Sequence, residues 1–335
     1  MILIPVSVLA ALLARLMPRW DAHLAWLVGV VLAACAGLST LGGDYDEYVT
    51  IIENTRGLAD QSIALQLLAA KDPVFLLIID LAGALADSVQ LVFVIVAALA
   101  VASKVIATAA LPGKRTQFMA IYAVFIAPGL EFTAIRAGLA VGMIMLAYMV
   151  ATRVRWRALW VPLGLAAHLS MLFIVVGRLW YRWWRQMLFC LLILGPVAIS
   201  ALGGLVTEDV RYTQYLDNRG TPLAFIMPGM TLLSLLLLSR SVKGCALPQN
   251  GVLSKDGLTA SYAVMAMSLI LTLPIVTAGI RVMELAWVVI LPQLLARDRL
   301  IRHHRIQVYQ AASWCMMIAV LLLANILRGT WKVLL

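Results

Sequence analysis

The stretch LAWLVGVVLAACAGLSTL, residues Leu24–Leu41, decides the fold of this chain because it carries no charged side chain. A helix needs about 17–25 predominantly apolar residues to cross a bilayer. Runs of the same kind recur at Leu258–Ala278 and Gln307–Leu327. Inside lipid, every backbone polar group must find a partner within the protein, so these runs must be helices. The sequence therefore predicts an all-α, polytopic transmembrane bundle of about 10 to 12 membrane segments.

Composition excludes a soluble globular protein. Of the 335 residues, 63% are hydrophobic and 13% are charged, against about 45–50% and 25% in soluble domains. The first segment, Met1–Met17, lacks the basic start and small-residue exit of a signal peptide, so we interpret it as a retained helix. The four cysteines are not at metal-binding spacing. The sequence predicts one integral membrane domain over 1–335, with no metal site and no cofactor.

The distribution of charge orients the chain in its membrane. The formal net charge is +10, and most Lys and Arg residues fall in six short connections, at Arg15–Arg19, Lys114–Arg115, Arg153–Arg157, Arg178–Arg185, Arg240–Lys255 and Arg297–Arg305. Basic connections of this kind mark the cytoplasmic side, so they do not indicate a nucleic-acid surface. Two polar loops then lie on the outer side, an amphipathic one at 43–73 and a second at 206–222.

The number of crossings between two loops must be odd when the loops lie on opposite sides of the membrane and even when they lie on the same side. Two hydrophobic segments do not fit this rule as single spans. Pro73–Asp87 is short and contains Asp80, so we expect it to be interfacial or partly inserted. Ala158–Gly177 lies between two basic loops, so we expect a re-entrant or broken helix there. The span Gln90–Leu111 contains Lys104 toward its inner end, where a long side chain can snorkel to the interface.

The outer end of the second helix carries a polar motif, Gly42–Tyr48, with the sequence GGDYDEY. Carboxylates such as Asp44 and Asp46 accept hydrogen bonds from sugar hydroxyls, and rings such as Tyr45 and Tyr48 pack on sugar faces. The alternative interpretation is a solvated helix exit with an N-cap.

Arginine within an apolar helix is costly and marks function. Arg136 lies in a long apolar segment that starts at Glu131 and ends at Thr152, about one and a half turns inside the expected helix. It requires an anion, which is either a ligand phosphate or a residue on another helix. Gly138 and Gly142 form a small-xxx-small pattern that permits close helix packing.

Further polar residues follow later in the chain. His168, in an apolar segment, is either an interhelical hydrogen-bonding residue or a general base. Arg211 and Tyr215 lie in the second outer loop. The alternative to a functional role for them is that this loop is simply exposed to solvent. Arg281 lies at an outer junction, where an i,i+3 ion pair with Glu284 is the alternative. Three arginines toward one face, Arg136, Arg211 and Arg281, suit a pyrophosphate, which a guanidinium binds bidentately.

These residues, in this order, resemble the EpsG/Wzy-like family of bacterial polysaccharide polymerases. The elements that match are Asp44 or Asp46 with Tyr45 and Tyr48, then Asp72-Pro73, Ile135-Arg136 before small residues, His168-Leu-Ser170, and Arg281 before a helix with Pro292. The chain departs from the family in having no Arg before the Asp-Tyr element and Ala137 where Gln is common. A Leu also separates His168 from Ser170.

The resemblance implies a GT-C-like membrane glycosyltransferase in the inner membrane with its active site facing the periplasm. It implies transfer of a growing glycan from undecaprenyl pyrophosphate to the non-reducing end of a new lipid-linked repeat unit. Expected partners are those lipid-linked glycans, membrane lipids, a chain-length regulator and a flippase, and no nucleic acid.

Each candidate residue has an expected role in that reaction. His168, Asp44 and Asp46 are candidates for the base, and Arg136, Arg281 and Arg211 for the pyrophosphate contacts. Glycan contacts are expected at Tyr45, Tyr48, Glu131 and Tyr215. A flippase or transporter of lipid-linked glycan, or an O-antigen ligase, is the alternative.

Overall fold

The computed structural model describes residues 2–175, with gaps at 41, 43, 87, 151–153, 169–170 and 173, then a set of positions between 227 and 237, and finally 276–297 and 304–328. Within these described ranges every regular element is helical and no strand occurs, so the all-α prediction is confirmed. The chain divides into two compact units, Met1–Leu172 with Leu321–Leu335, and Phe173–Val320.

The first unit contains ten described α-helices, which are α1 Leu3–Leu16, α2 Asp21–Leu38, α3 Tyr45–Gly57, α4 Ile63–Ala70, α5 Pro73–Leu85, α6 Val89–Ala107, α7 Arg115–Ile121, α8 Ala127–Leu130, α9 Ile135–Met145 and α10 Val154–Ala167. Short 3₁₀ turns follow α1 and α6. Turns of π-helix follow α7, at Tyr122–Ile126, and α9, at Leu146–Val150. Such π turns are often found near functional sites.

Two helical stretches of the described residues are long and apolar enough to cross a membrane, Pro18–Leu38 and Val89–Ala110. Shorter apolar helices accompany them, among them α1, α5 and α9. Large apolar side chains on the outside of α2, such as Trp26 and Val30, are exposed, as expected of a helix that faces lipid. The number of crossings and the GT-C-like architecture stay predictions.

Helix α6 forms the centre of this unit, packed between α2 and α9. Gly37 lets α2 approach it closely, because a Cβ at that position would lie 2.9 Å from the Cα of Val94. Gly142 does the same for α9, where a Cβ would lie 2.8 Å from the Cβ of Ser103. The close packing predicted for Gly142 is therefore confirmed, and small residues are what allow helices to approach in a membrane.

An acid among the basic connections has a structural role. Asp21 is buried at the start of α2, and its two carboxylate oxygens accept hydrogen bonds from the backbone N–H groups of Arg115 and Thr116, each at 3.0 Å. The Thr116 hydroxyl donates to the Asp21 carbonyl at 2.6 Å. Asp21 thus caps α7, whose first N–H groups have no partner within their own helix.

The amphipathic segment 43–73 forms two helices, α3 and α4. Helix α3 buries Tyr48, Ile51 and Ile52 and exposes Asp46 and Glu53, whereas α4 exposes Ile63 and Leu68. The Gln66 amide joins the two by donating to three backbone carbonyls, those of Leu58, Ala59 and Gln61. The location of this segment on the outer side stays a prediction.

The two segments expected to be irregular are short. Helix α5 has 13 residues, about 20 Å at 1.5 Å per residue, and packs against α3, α4, α6 and α10. Helix α10 ends at Ala167, and helical backbone is described again from 171. Among the described residues of Ala158–Gly177, His168 is non-helical, and the re-entrant or broken course of the whole segment stays a prediction.

In the second unit, α11 spans Val276–Arg297. Helix α12 begins in that unit at His304 and ends at Arg328, in the stretch that belongs to the first unit. Arg281 was expected to precede α11, but this helix begins five residues earlier. Pro292 lies inside α11, as the resemblance implied. The buried hydroxyl groups of Ser234 and Ser313 are 2.9 Å apart and link α12 to the segment near 234.

Candidate functional site

Arg136 lies in the first turn of α9, not one and a half turns inside a helix. The chain breaks before it, because α8 ends at Leu130 and α9 begins only at Ile135. In this break the Thr133 hydroxyl donates to the carbonyl of Gly129 at 2.5 Å, which holds the chain in a turn. A helix start is an electropositive position, so Arg136 lies where an anion is doubly favoured.

The anionic partner of Arg136 in this structure is Asp72. The guanidinium Nη1 is 2.6 Å from Asp72 Oδ2 and 3.3 Å from the Ala70 carbonyl. The guanidinium also lies over two aromatic rings, 5.3 Å from the Tyr48 ring centre and 5.6 Å from that of Phe75. The Arg136 and Asp72 side chains are only 11% and 12% exposed, so the pair is largely shielded from water and more strongly coupled than a surface pair.

Asp72 is placed by the start of α5. It is the N-cap residue, with φ −136° and ψ 131°, and Pro73 follows at the first helical position, where its fixed φ suits a helix. Burial raises the pKa of the Asp72 carboxyl, and the Arg136 guanidinium acts against that rise. Arg136 therefore favours the ionised form of the Asp72 carboxyl.

The two tyrosines of the Gly42–Tyr48 motif have unequal positions. Tyr48 is 6% exposed, and its ring is packed edge-on against Phe75 at 5.9 Å and Phe93 at 6.2 Å. One face of Tyr48 is thus occupied by Arg136, which leaves it poorly placed for the predicted stacking on sugar. Tyr45 is half-buried, stacks on Phe93 at 4.9 Å and donates its hydroxyl to Gln90 Oε1 at 3.4 Å.

The two sequence motifs at Gly42–Tyr48 and Glu131–Arg136 meet at one end of the first unit. A Cβ on Gly42 would lie 2.0 Å from the Phe132 carbonyl oxygen, so the two chain segments touch there. At the same end, Gln90 at the start of α6 donates to the carbonyl of Gly37 near the end of α2.

Lys104 does not snorkel to the inner interface, so that expectation is wrong. It is 0% exposed, and its Nζ is 2.7 Å from Glu131 Oε1. The Cα–Cβ bond in a helix tilts toward the N-terminus, and the side chain follows it to the Ala100 carbonyl, 3.1 Å away. Snorkelling would have required the opposite direction, toward the C-terminal end of α6.

Glu131 was predicted to contact glycan, but its side chain is 1% exposed. Its carboxylate accepts a hydrogen bond from the Tyr122 hydroxyl at 2.6 Å and pairs with Lys104. A Cβ on Gly138 would lie 2.7 Å from Glu131 Oε2, so this glycine makes room for the carboxylate. Burial corrects the prediction, because Glu131 offers a glycan no surface.

The remaining candidates are placed as follows. Asp44 occupies the N-cap position of α3 but makes no capping hydrogen bond with its side chain, and Asp46 is exposed in the first turn. His168 is partly exposed directly after α10, which packs against both α5 and α9. The side chain of Arg281, and Arg211 and Tyr215 altogether, lie outside the described residues, so the convergence of three arginines stays a prediction.

Sequence reasoning did not assign a role to Asp72, Phe75, Lys104 or Tyr122. A signal existed for two of them. Asp72 directly precedes a proline that opens an apolar helix, and Lys104 lies in an otherwise apolar run. A buried charge requires an opposite charge, and several acids in or beside apolar segments were available, among them Asp72, Asp80 and Glu131. That Asp72 pairs with Arg136 and Glu131 with Lys104 could be seen only in the tertiary structure.

The described residues contain two apolar helical stretches of membrane length, and the second of them carries a lysine paired with a buried glutamate, which are features of helical membrane proteins. The chain belongs to the EpsG family, whose family model matches residues 23–331. Membership supports a polysaccharide polymerase role at the level of the family, with lipid-linked polysaccharide as substrate. No curated protein and no solved structure matches the chain.

Proposed function

We propose that this protein polymerises lipid-linked polysaccharide repeat units at the periplasmic face of a bacterial inner membrane. It transfers the growing glycan from undecaprenyl pyrophosphate to the non-reducing-end hydroxyl of a new lipid-linked unit. Arg136 carries the proposal, because a guanidinium at the start of a helix, held by an acid and two aromatic rings, is a preorganised site for phosphate oxygens.

The proposed reaction needs few groups from the protein. The acceptor hydroxyl oxygen forms a bond to the anomeric carbon of the donor, and the bond from that carbon to the pyrophosphate oxygen breaks. The hydroxyl proton goes to a base, and the pyrophosphate leaves with the electron pair. Positive charge on the leaving group lowers the barrier because charge develops there in the transition state.

In this proposal Asp72 is the anion that pairs with Arg136 when no substrate is bound. A phosphate of the substrate then takes the place of Asp72. The Arg136 Nε atom is buried with no hydrogen-bond partner, and buried donors are usually satisfied. A phosphate oxygen would supply the missing acceptor. Once Arg136 turns to phosphate, Asp72 loses the nearest positive charge that opposes the rise of its pKa, so its carboxyl binds a proton more readily.

Asp72 is not the preferred base for this reaction. In inverting glycosidases the two catalytic carboxyl groups lie on opposite faces of the sugar, about 6.5–9.5 Å apart, and an inverting transfer likewise needs its base on the face opposite the leaving group. A carboxylate in direct contact with Arg136 is on the side of the leaving group. His168, Asp44 and Asp46 remain the candidates for the base.

The test replaces Arg136 by Lys in a cell that lacks its own copy of the chain. Lysine keeps the charge but loses the planar fork, so we expect loss of long-chain glycan while lipid-linked single units persist. The matched control is Arg115→Lys at the Asp21 end of the same unit, which should leave chain length unchanged. Long chains made by Arg136→Lys would overturn the role of Arg136.

The same experiment separates the proposal from its alternatives. Single units that accumulate on the cytoplasmic side of the membrane would indicate a flippase. Long chains that form normally but are not passed on to their final acceptor would indicate a ligase. Single units that accumulate on the periplasmic side support the polymerase.

A further inference from the structure

The chain before Arg136 is not one continuous helix. It runs through the π-helical turn Tyr122–Ile126, the four-residue helix α8 and a non-helical turn before α9 begins. The N-cap residue of α9, Ala134, makes no side-chain capping bond. The regular backbone of this segment therefore does not by itself fix where α9 starts or where it directs Arg136.

A single ammonium group joins the parts of this broken segment. Lys104 Nζ donates to the Gly138 carbonyl in α9 at 2.5 Å, pairs with Glu131 in the break at 2.7 Å, and donates to its own helix at Ala100. Glu131 in turn holds the Tyr122 hydroxyl at 2.6 Å, before the break. The three donors of a lysine ammonium are all used.

Apolar residues of similar volume would hold these helices together at lower cost, because both charges must be removed from water. The structure instead leaves two glycines, Gly138 and Gly142, beside the pair, and a Cβ on Gly142 would lie 3.5 Å from Lys104 Nζ. Directional bonds fix an angle and a register, which apolar packing does not do as strictly.

We infer that Lys104 and Glu131 are positioning residues for Arg136. Their ion pair, on one side of the break, fixes the first two turns of α9 against α6, and so sets the place and direction of the guanidinium. This inference rests on the proposed function for its consequence in catalysis, but the positioning itself is a property of the fold that can be measured alone.

The test uses the double variant Lys104→Met/Glu131→Gln in the full-length chain. It removes both charges together, so neither is left buried alone, and Gln keeps an acceptor for the Tyr122 hydroxyl. We expect amide hydrogen exchange to rise about ten-fold or more in residues 135–142 and to stay unchanged in the first turns of α6. Unchanged exchange in α9, or an equal rise throughout the chain, would overturn the inference.

The second readout is coupling to Arg136. Membranes that contain the cell's own lipid-linked glycan report the polymerisation rate per amount of folded protein. We expect the double variant to be about ten-fold or more slower than the wild type. Compared at the residual rate that Arg136→Lys retains, the triple variant should be no slower than Arg136→Lys alone, because both changes act through one guanidinium. A triple variant whose loss of polymerisation rate is the product of the losses in the double variant and in Arg136→Lys would overturn the inference.

The two readouts separate the possible failures. If Arg136→Lys polymerises normally while exchange rises locally in the double variant, the proposed function fails and the positioning holds. If Arg136→Lys is inactive and the double variant is normal in both readouts, only the positioning fails. Should the double variant not fold, Glu131→Asp replaces it, because it keeps both charges but shortens by one CH₂ group the arm that carries the carboxylate to Lys104. The same local rise in exchange, smaller in size, is then expected, and its absence decides against the inference.

Discussion

Glycine at position 138 is required by the carboxylate beside it, and Gly138→Ala tests that requirement. The added methyl would lie 2.7 Å from Glu131 Oε2 and 3.0 Å from Glu131 Cδ. The carboxylate has little freedom to move, because Lys104 and Tyr122 hold its Oε1 at 2.7 and 2.6 Å. The methyl therefore overpacks a fixed group, which costs about 1–3 kcal/mol.

Two effects of opposite sign decide the outcome at Gly138. Alanine is better than glycine in a helix by up to about 1 kcal/mol, so the net loss of stability is about 0–2 kcal/mol. Gly83 is the matched control, since it lies inside α5 with nothing within 4 Å of an added Cβ. We expect Gly83→Ala to gain about 0.4–1 kcal/mol.

The assay is unfolding of the purified full-length chain in lipid nanodiscs, with both variants measured beside the wild type. A third measurement, Gly138→Ala in a chain that already carries Glu131→Ala, removes the group that the methyl strikes. The penalty of the methyl should then disappear, as expected of two residues in contact. A Gly138→Ala protein as stable as Gly83→Ala would refute the argument from contact.

Three further variants test the bonds around the site. Asp72→Asn should lose about 1–3 kcal/mol of stability in the same unfolding assay, because the Arg136 charge loses its buried partner. The control, Glu47→Gln, breaks the exposed pair with Lys71 at 3.4 Å and should change stability by less than about 1 kcal/mol. Equal effects of the two variants would contradict the prediction. Tyr122→Phe removes the donor to Glu131 and should cost about 1–3 kcal/mol, and a neutral result would mean that the carboxylate does not need that bond. Asp21→Ala should cost about 0.5–2 kcal/mol through the lost cap of α7, with faster amide exchange at Arg115 and Thr116 as its local sign and unchanged exchange as the contrary result.

The sequence was informative wherever local composition sets the physics. Apolar length predicted α1, α2 and α6, and the Pro73 segment was correctly expected to be short. The pattern of acids and apolar residues in 43–73 predicted amphipathic helices, and two are present. A match over residues 23–331 also bears out the resemblance to the family.

The site was less predictable, because its residues lie far apart in the chain. Arg136 and Tyr48 were both selected from the sequence, but their contact through the cation–π geometry was not anticipated. Glu131 was misassigned, since an acid five positions from an arginine gives no sign that it serves a lysine 27 positions earlier. The direction of the Lys104 side chain was predicted wrongly, because the snorkelling argument considers only the distance to the membrane interface and not an acid such as Glu131 on a neighbouring segment.

By itself, the sequence determined that this chain is a bundle of apolar helices, that its polar residues cluster in a few segments, and that Arg136 needs an anion. These properties follow from the cost of placing charges and unpaired backbone groups in an apolar medium, which depends on composition alone. Only the tertiary structure decided which acid pairs with which cation: Asp72 with Arg136 and Glu131 with Lys104. Pairing depends on distance and direction, and those are set by how α5, α6 and α9 pack and by where the chain breaks before Ile135.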